Sequence, residues 1–237
     1  MSSQSSLNVE SLTRSMIVFI STYGFSNKNY FNELFRRNSI KNGFKPDSVI
    51  QRIKSEKYGI CMELNYTFCM YLKSRGYNAY LTTCRKPKSL VKNKLEYFDI
   101  EHIAIIVIMD NIKYFVDVGF GEYFVTPISL INSTVANNIE VLIKDNVYYL
   151  TKCNGSVELK HNENDRIKSF DHIEDNNKDY KIVLKLDMDL SSIDDINKMN
   201  TNYVRFFNSN KDDFPLCDIL FERVYDVNKQ TFIETKY

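Results

Sequence analysis

The fold is decided by the stretch Lys57-Tyr58-Gly59-Ile60-Cys61-Met62-Glu63-Leu64-Asn65. Gly59 is typical of a break before a helix, and apolar side chains then recur at helical spacing from Cys61 onward. The pattern predicts a helix from Cys61 to Arg75 that Gly76 ends. A cysteine in the first helical turn lies at the positive end of the helix dipole, which favours the nucleophilic thiolate over the thiol. The ordinary alternative is a small buried residue on the apolar face of the helix.

A histidine and an aspartate are predicted to meet across a hairpin further along the chain. His102, one of three histidines, opens the strongly apolar segment 102–109. Asp110-Asn111 is typical of a tight turn, so residues 112–118 are predicted to return as an antiparallel strand. If the turn is symmetric, Asp117 is the diagonal neighbour of His102 on the same face. Diagonal neighbours lie roughly 7–8 Å apart between backbones, within reach of a side-chain hydrogen bond.

Cysteine, histidine and aspartate in this order form the constellation of nucleophilic acyl-transfer catalysis. In this interpretation Cys61 is the nucleophile, His102 is the general base, and Asp117 orients the imidazole. The structural alternative makes His102 a hydrogen-bonded core histidine and Asp117 a turn former at the end of a strand. The coherent positions of the three side chains favour the catalytic interpretation.

These residues resemble the arylamine N-acetyltransferase family. The family's nucleophile motif has the form Arg-Gly-Gly-x-Cys-x-Glu-x-Asn. Five of its six specified positions are filled here, one with Lys for Arg, by Lys57, Gly59, Cys61, Glu63 and Asn65. Tyr58 stands where the family has its first glycine. The second motif, a histidine opening a strand and then Asp-Val-Gly-Phe-Gly, matches His102 and residues 117–121, with Pro127 following. We interpret the motif's Glu and Asn as structural supports of the nucleophile.

The resemblance is good from about Lys57 to Leu130. It continues faintly from Tyr180 to Val224, where an extended stretch, a short Asn-rich helix and a Phe-containing strand follow in the family's order. The family usually carries a Pro-Phe-Glu-Asn segment upstream of the nucleophile, and this segment has no counterpart before Lys57. Because that segment helps to shape the acceptor pocket, the sequence does not predict which amine is acetylated.

The resemblance implies an α+β fold with an N-terminal helical bundle, a central antiparallel β-barrel and a C-terminal α/β lid. Its core is a Cys-His-Asp arrangement like that of papain and the transglutaminases. We expect residues 1–77 to form the helical region with the nucleophile, residues 78–180 to form the barrel with His102 and Asp117, and residues 181–237 to form the lid. The active site then lies where the helical region and the barrel meet.

The resemblance also implies ping-pong acetyl transfer. The Cys61 thiolate attacks the thioester of acetyl-coenzyme A, and an arylamine, hydrazine or similar small amine then attacks the acetyl-cysteine while His102 manages its proton. The Cys61 amide, at the helix start, is a candidate donor to the oxyanion. In the family, the loop that corresponds to Gly119, Phe120 and Gly121 contacts the phosphates of coenzyme A. Glycines in such a loop let backbone amides approach anions closely.

Two other functions remain open. A Cys-His-Asp amide hydrolase or transglutaminase-like enzyme shares the acyl-enzyme step and differs in what resolves it. A degenerate, non-catalytic binding member of the family agrees with Tyr58 and with the missing upstream segment, whereas the three intact triad residues oppose it.

The remaining pattern predicts helices before the nucleophile and strands after it. Helical spacing extends from Val9 to Ile53. Several short strands joined by tight turns follow, which is typical of a meander or small barrel. The predicted strands are 78–84, 95–100, 123–130, 139–143, 147–152, 157–160, 180–187, 216–224 and 231–234.

Two further segments are predicted from their polar residues. Ser191 or Ser192 is expected to cap a helix that runs to about Met199. Five basic residues lie between positions 85 and 94. They either contact phosphates of a nucleotide-like cofactor or form a solvated hairpin loop.

Composition excludes several classes of function. A chain of 237 residues with 43% hydrophobic residues is expected to bury a substantial core, and a net charge of +1 argues against a general nucleic-acid binder. The longest apolar run, 103–109, is too short to span a bilayer. Five irregularly spaced cysteines without a CxxC pair indicate free thiols in a reducing compartment, so we expect a cytoplasmic protein. His161 and His172 lie in a polar stretch without further ligands, so no metal is expected.

Overall fold

The computed structural model describes residues 7–91, 94–122, 124–132, 134–136, 139–153, 180–208 and 219–237. Within these ranges, no helix is long and apolar enough to cross a membrane. The predicted strand at 157–160 and the predicted surface residues His161 and His172 lie outside the described residues.

Helices form most of the N-terminal region. They are α1 (Val9–Thr22), a short 3-10 helix (Lys28–Phe31), α2 (Glu33–Asn42), α3 (Pro46–Glu56) and α4 (Cys61–Ser74). The prediction of a helix that begins at Cys61 is confirmed, with Arg75 as its C-terminal cap residue. Gly76 follows with φ of 91°, a left-handed conformation that glycine adopts without strain. The apolar stripe of α1 is buried, as its spacing predicts.

The sequence pattern misses two short strands in this region, β1 (Gly24–Ser26) and β2 (Tyr58–Gly59). Strands of two or three residues carry no detectable periodicity. Strand β1 pairs in parallel with β2, and on its other side it pairs with the C-terminal hairpin of β13 (Phe221–Asp226) and β14 (Thr231–Lys236). The resulting mixed sheet has the order β14-β13-β1-β2. The C-terminal hairpin is thereby attached to the segment just before Cys61.

The central region is an eight-stranded antiparallel sheet that nearly closes into a barrel. Its members are β3 (Asn78–Arg85), β6 (His102–Met109), β7 (Ile112–Val116), β8 (Ile128–Ser129), β9 (Val135–Ala136), β10 (Ile139–Lys144), β11 (Val147–Cys153) and β12 (Tyr180–Leu186). Their order is β8-β7-β6-β3-β12-β11-β10-β9, and β4 (Pro87–Val91) and β5 (Lys94–Tyr97) form a separate hairpin. The expected α+β architecture is therefore confirmed.

The hairpin of β6 and β7 has the predicted register. Asp110 and Asn111 have φ of 50° and 62°, as a two-residue turn of type I′ requires. The last paired residues are Ile105 and Val116, so the strand ends earlier than predicted. Asp117 consequently follows the strand instead of lying in it.

Strand β6 is a continuous apolar run because both of its faces are buried. Ile103, Ile105 and Val107 pack in the core that includes the N-terminal helices. Ala104 and Ile106 point to the opposite face and pack in the barrel interior. The strand that begins with His102 is therefore the element shared by the helical region and the barrel.

Two elements differ from the sequence-based expectation. The strand predicted at 123–130 is reduced to β8 (Ile128–Ser129), in part because Pro127 has no N–H to donate to a ladder. Strand β12 lies in the barrel sheet between β3 and β11, although the expected boundary at residue 180 assigns most of it to the C-terminal lid. The partners of a strand lie far away in sequence, so a local pattern cannot show which sheet it joins.

Helix α5 (Ile193–Asn208) is longer than predicted. Ser192 caps it, since its Oγ accepts a hydrogen bond from the Asp195 amide at 3.1 Å. The prediction ended near Met199, but the buried stripe of the helix continues through Tyr203 and Val204. The helix packs on α2 and on the 3-10 helix, which places its C-terminal half over the start of α4.

Candidate active site

Cys61 is the first residue of α4, and its backbone position is fixed by a carboxylate. The Ile60 amide donates a hydrogen bond to Glu63 Oε2 at 3.0 Å. The other carboxylate oxygen of Glu63 forms an ion pair with Arg52 of α3, which also contacts Glu56 at 2.9 Å. Glu63 therefore supports the start of the helix, as the motif interpretation expects, whereas sequence reasoning did not find Arg52.

The structure brings His102 and Asp117 into direct contact. His102 Nε2 lies 2.5 Å from Asp117 Oδ2, and both side chains are buried. The Cys61 side chain lies close enough to His102 to act on the charge of its imidazole. Because Nε2 faces the carboxylate, Nδ1 is the ring nitrogen that is left for the thiol. The three predicted catalytic side chains are thus buried together in one site.

Asn65 ties the aspartate to the nucleophile helix. It lies one turn after Cys61, and its Nδ2 donates to Asp117 Oδ1 at 2.9 Å and to the Ile103 carbonyl at 2.7 Å. Its Oδ1 accepts a hydrogen bond from the Val118 amide at 2.9 Å. One buried amide side chain therefore fixes α4, the start of β6 and the loop after β7 relative to one another.

The glycine after this loop's Asp-Val pair is required by close packing. A Cβ atom on Gly119 would lie 2.6 Å from the Cys61 Cα and 2.7 Å from the Cys61 carbonyl oxygen. The amides of Gly119 and Phe120 donate to Asp117 Oδ1 at 2.9 and 3.0 Å. These two amides therefore hold the aspartate, and contact of the Gly119–Gly121 loop with the phosphates of coenzyme A stays a prediction. Gly121 has φ of 80°, so a glycine is needed there for its conformation.

The electrostatics of the site favour a charged imidazole. Burial alone would lower the pKa of His102, but the Asp117 carboxylate and the negative charge of a Cys61 thiolate outweigh burial and raise this pKa to about 9. The imidazolium form is thus favoured at neutral pH. An imidazolium beside a sulfur atom stabilises the thiolate, which is the reactive form of cysteine.

The other described thiols have an unreactive environment. Burial raises the pKa of the Cys69 thiol to about 11, against a smaller opposite effect of Lys73. Burial and then the charge of Asp117 raise the pKa of Cys84 well above its ordinary value. Cys84 of β3 is the cross-strand partner of His102, but its thiol is completely buried and its pKa is raised, so we do not expect it to be the nucleophile.

Three further side chains lie near the triad; Phe120 was expected from the sequence only as part of the cofactor-binding loop, and Tyr203 and Glu101 were not found. The Tyr203 hydroxyl of α5 lies 3.4 Å from Cys61 Sγ. The ring of Phe120 packs edge-on against the His102 ring, with 5.4 Å between the ring centroids. Glu101 is 5% exposed, and its Oε2 has no hydrogen-bond partner among the described residues. A longer extension of the α5 stripe would have signalled Tyr203, whereas no pattern signals Glu101.

Two residues of the basic segment 85–94 have different surroundings in the structure. Arg85 is engaged with Asp187 at 2.9 Å and with Asp99 at 3.8 Å, so it is held within the fold. Lys86 Nζ lies 5.1 Å from the centre of the Phe120 ring, close to the triad loop. The described residues contain no cluster of His, Cys, Asp and Glu that could hold a metal ion.

Comparison with known proteins places the chain in a family. A family model described as N-acetyltransferase matches residues 8–219. The uncharacterized acetyltransferase R151 of Acanthamoeba polyphaga mimivirus is 35% identical over 227 residues, which cover 95% of this chain and 92% of the relative.

Solved structures share the fold. An arylamine N-acetyltransferase from Bacillus cereus, which has a Cys-His-Glu catalytic triad, superposes with a TM-score of 0.59 at 16% identity and covers 98% of this chain and 80% of its own. The Mycobacterium marinum arylamine N-acetyltransferase in complex with CoA has a TM-score of 0.65 at 11% identity, with 97% and 74% covered. At these identities the likeness concerns the fold alone.

Proposed function

Because the chain belongs to the arylamine N-acetyltransferase family, we propose that it transfers the acetyl group of acetyl-coenzyme A to a small amine through an acetyl-Cys61 intermediate. The observation that carries this mechanism is the buried contact of His102 with Asp117 beside a cysteine at a helix start. Family membership covers the acetyltransferase class, and our proposal adds that Cys61 is the nucleophile and that a small amine is the acceptor.

In the first half-reaction the Cys61 thiolate attacks the thioester carbon. A bond forms between Sγ and the acetyl carbon, and the bond from that carbon to the sulfur of coenzyme A breaks. The departing thiolate takes a proton from the His102 imidazolium. Asp117 keeps the ring oriented throughout, because its Oδ2 holds Nε2 and leaves Nδ1 for the proton transfer.

In the second half-reaction the acceptor amine attacks the acetyl carbon. A carbon–nitrogen bond forms, the bond to Sγ breaks, and neutral His102 takes the proton that the amine loses. The rings of Phe120 and Tyr203 lie beside His102 and Cys61 respectively. Aromatic walls of this kind pack well against a planar acceptor, which supports an arylamine or an aryl hydrazine.

The residues near the loop after Asp117 fit a phosphate-bearing donor in part. Lys86 provides a cation beside the Phe120 ring, and Gly121 provides backbone in a conformation that only glycine adopts freely. We place the phosphates of coenzyme A against this surface. The free thiols of Cys61, Cys69 and Cys84 agree with a reducing compartment, and we propose that the protein is cytoplasmic.

Mass measurement of the intact protein tests this function. Incubation with acetyl-coenzyme A is expected to add one acetyl group, which peptide mapping locates on Cys61 and which an arylamine such as aniline then removes as the acetylated amine. Cleavage of amide substrates without acetyl-coenzyme A would instead select a hydrolase. Binding of acetyl-coenzyme A without any mass gain would select a non-catalytic binding protein.

A further inference from the structure

Helix α5 brings a hydroxyl group to the reacting sulfur. Tyr203 Oη lies 3.4 Å from Cys61 Sγ, and the tyrosine and cysteine side chains are both buried, with relative exposures of 3% and 2%. The contact joins residues that are 142 positions apart in the chain. The mechanism given above does not use this hydroxyl.

The position of Tyr203 is fixed by the fold. Its ring packs against the Tyr30 ring, with 5.7 Å between the ring centroids. Tyr30 donates a hydrogen bond to Asn200 Oδ1 at 2.6 Å, and Ser39 donates to the same oxygen at 2.9 Å. Asn200 lies one turn before Tyr203 on α5, so these bonds tie this face of the helix to the N-terminal region. The Phe44 amide, which donates to Asn197 Oδ1 at 2.6 Å, adds a third attachment.

The hydroxyl of Tyr203 keeps its proton. Burial and then the neighbouring Cys61 raise the pKa of Tyr203 well above its ordinary value of 10.0. A phenol that remains neutral beside a thiolate can only act as a hydrogen-bond donor toward negative charge. It is therefore unsuited to act as a general base for the acceptor amine.

The distance between the Tyr203 hydroxyl and Cys61 Sγ would also let the hydroxyl donate to an oxyanion formed on Cys61. The oxygen of a tetrahedral intermediate on Cys61 is two bonds from Sγ. A donor that lies 3.4 Å from the sulfur can therefore reach the roughly 2.7–3.1 Å that donors to an oxyanion require. The Cys61 amide, at the first position of α4, has no acceptor within its own helix and belongs to the residue that carries the reacting sulfur.

We propose that Tyr203 is a catalytic residue whose hydroxyl, together with the Cys61 amide, donates a hydrogen bond to the oxyanion formed during acetyl transfer. This inference rests on the proposed function. As the thiolate attacks, the carbonyl π electrons move onto oxygen, and the phenol stabilises that charge without losing its proton. When the leaving group departs, the electron pair returns to re-form the carbonyl, so the hydroxyl is unchanged after each half-reaction.

The decisive experiment compares two reactions of the same thiol in Tyr203→Phe. Acetylation by acetyl-coenzyme A passes through an oxyanion, whereas alkylation by iodoacetamide does not. We expect the rate of acetyl-Cys61 formation to fall about 10²-fold, as for the loss of one oxyanion donor. We expect the alkylation rate to change less than about threefold, because thiolate fraction and intrinsic nucleophilicity change in opposite directions.

Tyr77→Phe is the matched control. Tyr77 is also buried, and its hydroxyl forms a 2.7 Å hydrogen bond with Ser11 Oγ, but it lies beyond the opposite end of α4. The helix rise of about 1.5 Å per residue places it roughly 20 Å from Cys61. Both rates should match those of the unmodified protein. Normal alkylation of Tyr203→Phe also shows that the site is intact, so a folding defect cannot imitate the expected result.

The possible outcomes separate the two levels of inference. Unchanged acetylation in Tyr203→Phe, with an active unmodified protein, overturns the role of Tyr203 and leaves the proposed function standing. An equal fall in acetylation and alkylation also overturns it, because the hydroxyl would then act on the thiol alone. If the protein with its natural sequence is alkylated at Cys61 but is never acetylated there, the proposed function fails and the role of Tyr203 fails with it.

Discussion

The hairpin of β6 and β7 and the helix α5 approach Cys61 from two sides, and they differ in how far along the chain their contacts reach. His102 and Asp117 are 15 residues apart, and a two-residue turn brings them together. Tyr203 is 142 residues from Cys61, and its position depends on packing against the N-terminal helices. Local hairpin geometry is thus enough to assemble the acid–base pair, whereas the hydroxyl at the sulfur depends on the complete tertiary fold.

The difference predicts that the two sides contribute to different steps. The hairpin side sets the protonation of the imidazole and therefore the reactivity of the thiol toward every electrophile. The α5 side acts only on reactions that develop an oxyanion. Variants of Cys61, of Asp117 in the hairpin and of Glu101 test this separation.

The largest effect is expected for Cys61→Ser. A serine hydroxyl is a much weaker nucleophile than a thiolate at neutral pH, so acetyl transfer should be abolished while the fold is kept. Acetylated amine is measured by liquid chromatography, and the fold is checked by circular dichroism. Cys69→Ser is the control, because Cys69 is a buried thiol of the same helix. Substantial activity in Cys61→Ser would mean that the nucleophile is another residue.

Asp117→Asn tests the hairpin side. The side chain keeps its shape, but it no longer stabilises the imidazolium, and an amide nitrogen turned toward Nε2 selects the wrong tautomer. A Cys nucleophile needs less help than a Ser nucleophile, so we expect acetyl transfer to fall roughly 10²- to 10⁴-fold. The rate of Cys61 alkylation at neutral pH should fall as well, which distinguishes this variant from Tyr203→Phe.

Asp110→Asn in the turn of the same hairpin is the control for this prediction. Asp110 is exposed, and asparagine also tolerates the left-handed conformation that the turn needs. Its activity should be unchanged. Near-normal activity in a folded Asp117→Asn variant would leave a Cys61–His102 dyad and would remove the functional meaning of the hairpin register.

Sequence reasoning reached the hairpin side because each of its signals is local. The break at Gly59, the turn at Asp110-Asn111 and the apolar alternation of neighbouring segments can all be seen within a few residues. It failed where partners are distant: β1 and β2 are too short to show a period, and β12 joins its sheet through residues far away in the chain. The backbone amides after Asp117 could not be assigned either, since only the fold shows that they bind the carboxylate.

The order of thiol alkylation tests the charge state of the site. Cys61 faces an imidazolium, whereas the thiols of Cys69 and Cys84 have raised pKa values through burial. Limiting iodoacetamide at neutral pH should therefore label Cys61 first, by about tenfold or more, before Cys69, Cys84, Cys153 or Cys217. Peptide mapping measures the order, and prior acetylation should protect Cys61. His102→Gln is the matched variant, which should lose the preference; labelling of Cys61 among the slowest thiols would contradict the ion pair.

The smallest effect concerns Glu101, which lies between the two sides. It precedes His102 in the chain, and its charge acts on Tyr203. Burial raises the pKa of Glu101, although Lys86 and His102 oppose this shift. A carboxyl group whose pKa is higher in the folded state than in the unfolded state binds protons more tightly when folded. Its favourable contribution is complete below the unfolded pKa and is lost as pH rises through the folded pKa.

At neutral pH, folding therefore forces a charge into a buried position where one carboxylate oxygen lacks a hydrogen-bond partner in the described part of the chain. Glu101→Gln removes that charge, so we expect the free energy of unfolding to rise by about 1 kcal/mol at pH 7.5, or about 2–4 °C in Tm. The advantage of the variant should shrink as the pH is lowered toward 4.5, because Glu101 of the unmodified protein then becomes neutral as well. Glu10→Gln, an exposed change on α1, should show a small difference that does not vary in this way. The contrary outcome is a difference in the free energy of unfolding between Glu101→Gln and the protein with its natural sequence that stays constant from pH 4.5 to 7.5. That result would show that the charge of Glu101 does not destabilise the folded state. Glu101 would then not couple the hairpin to α5 electrostatically.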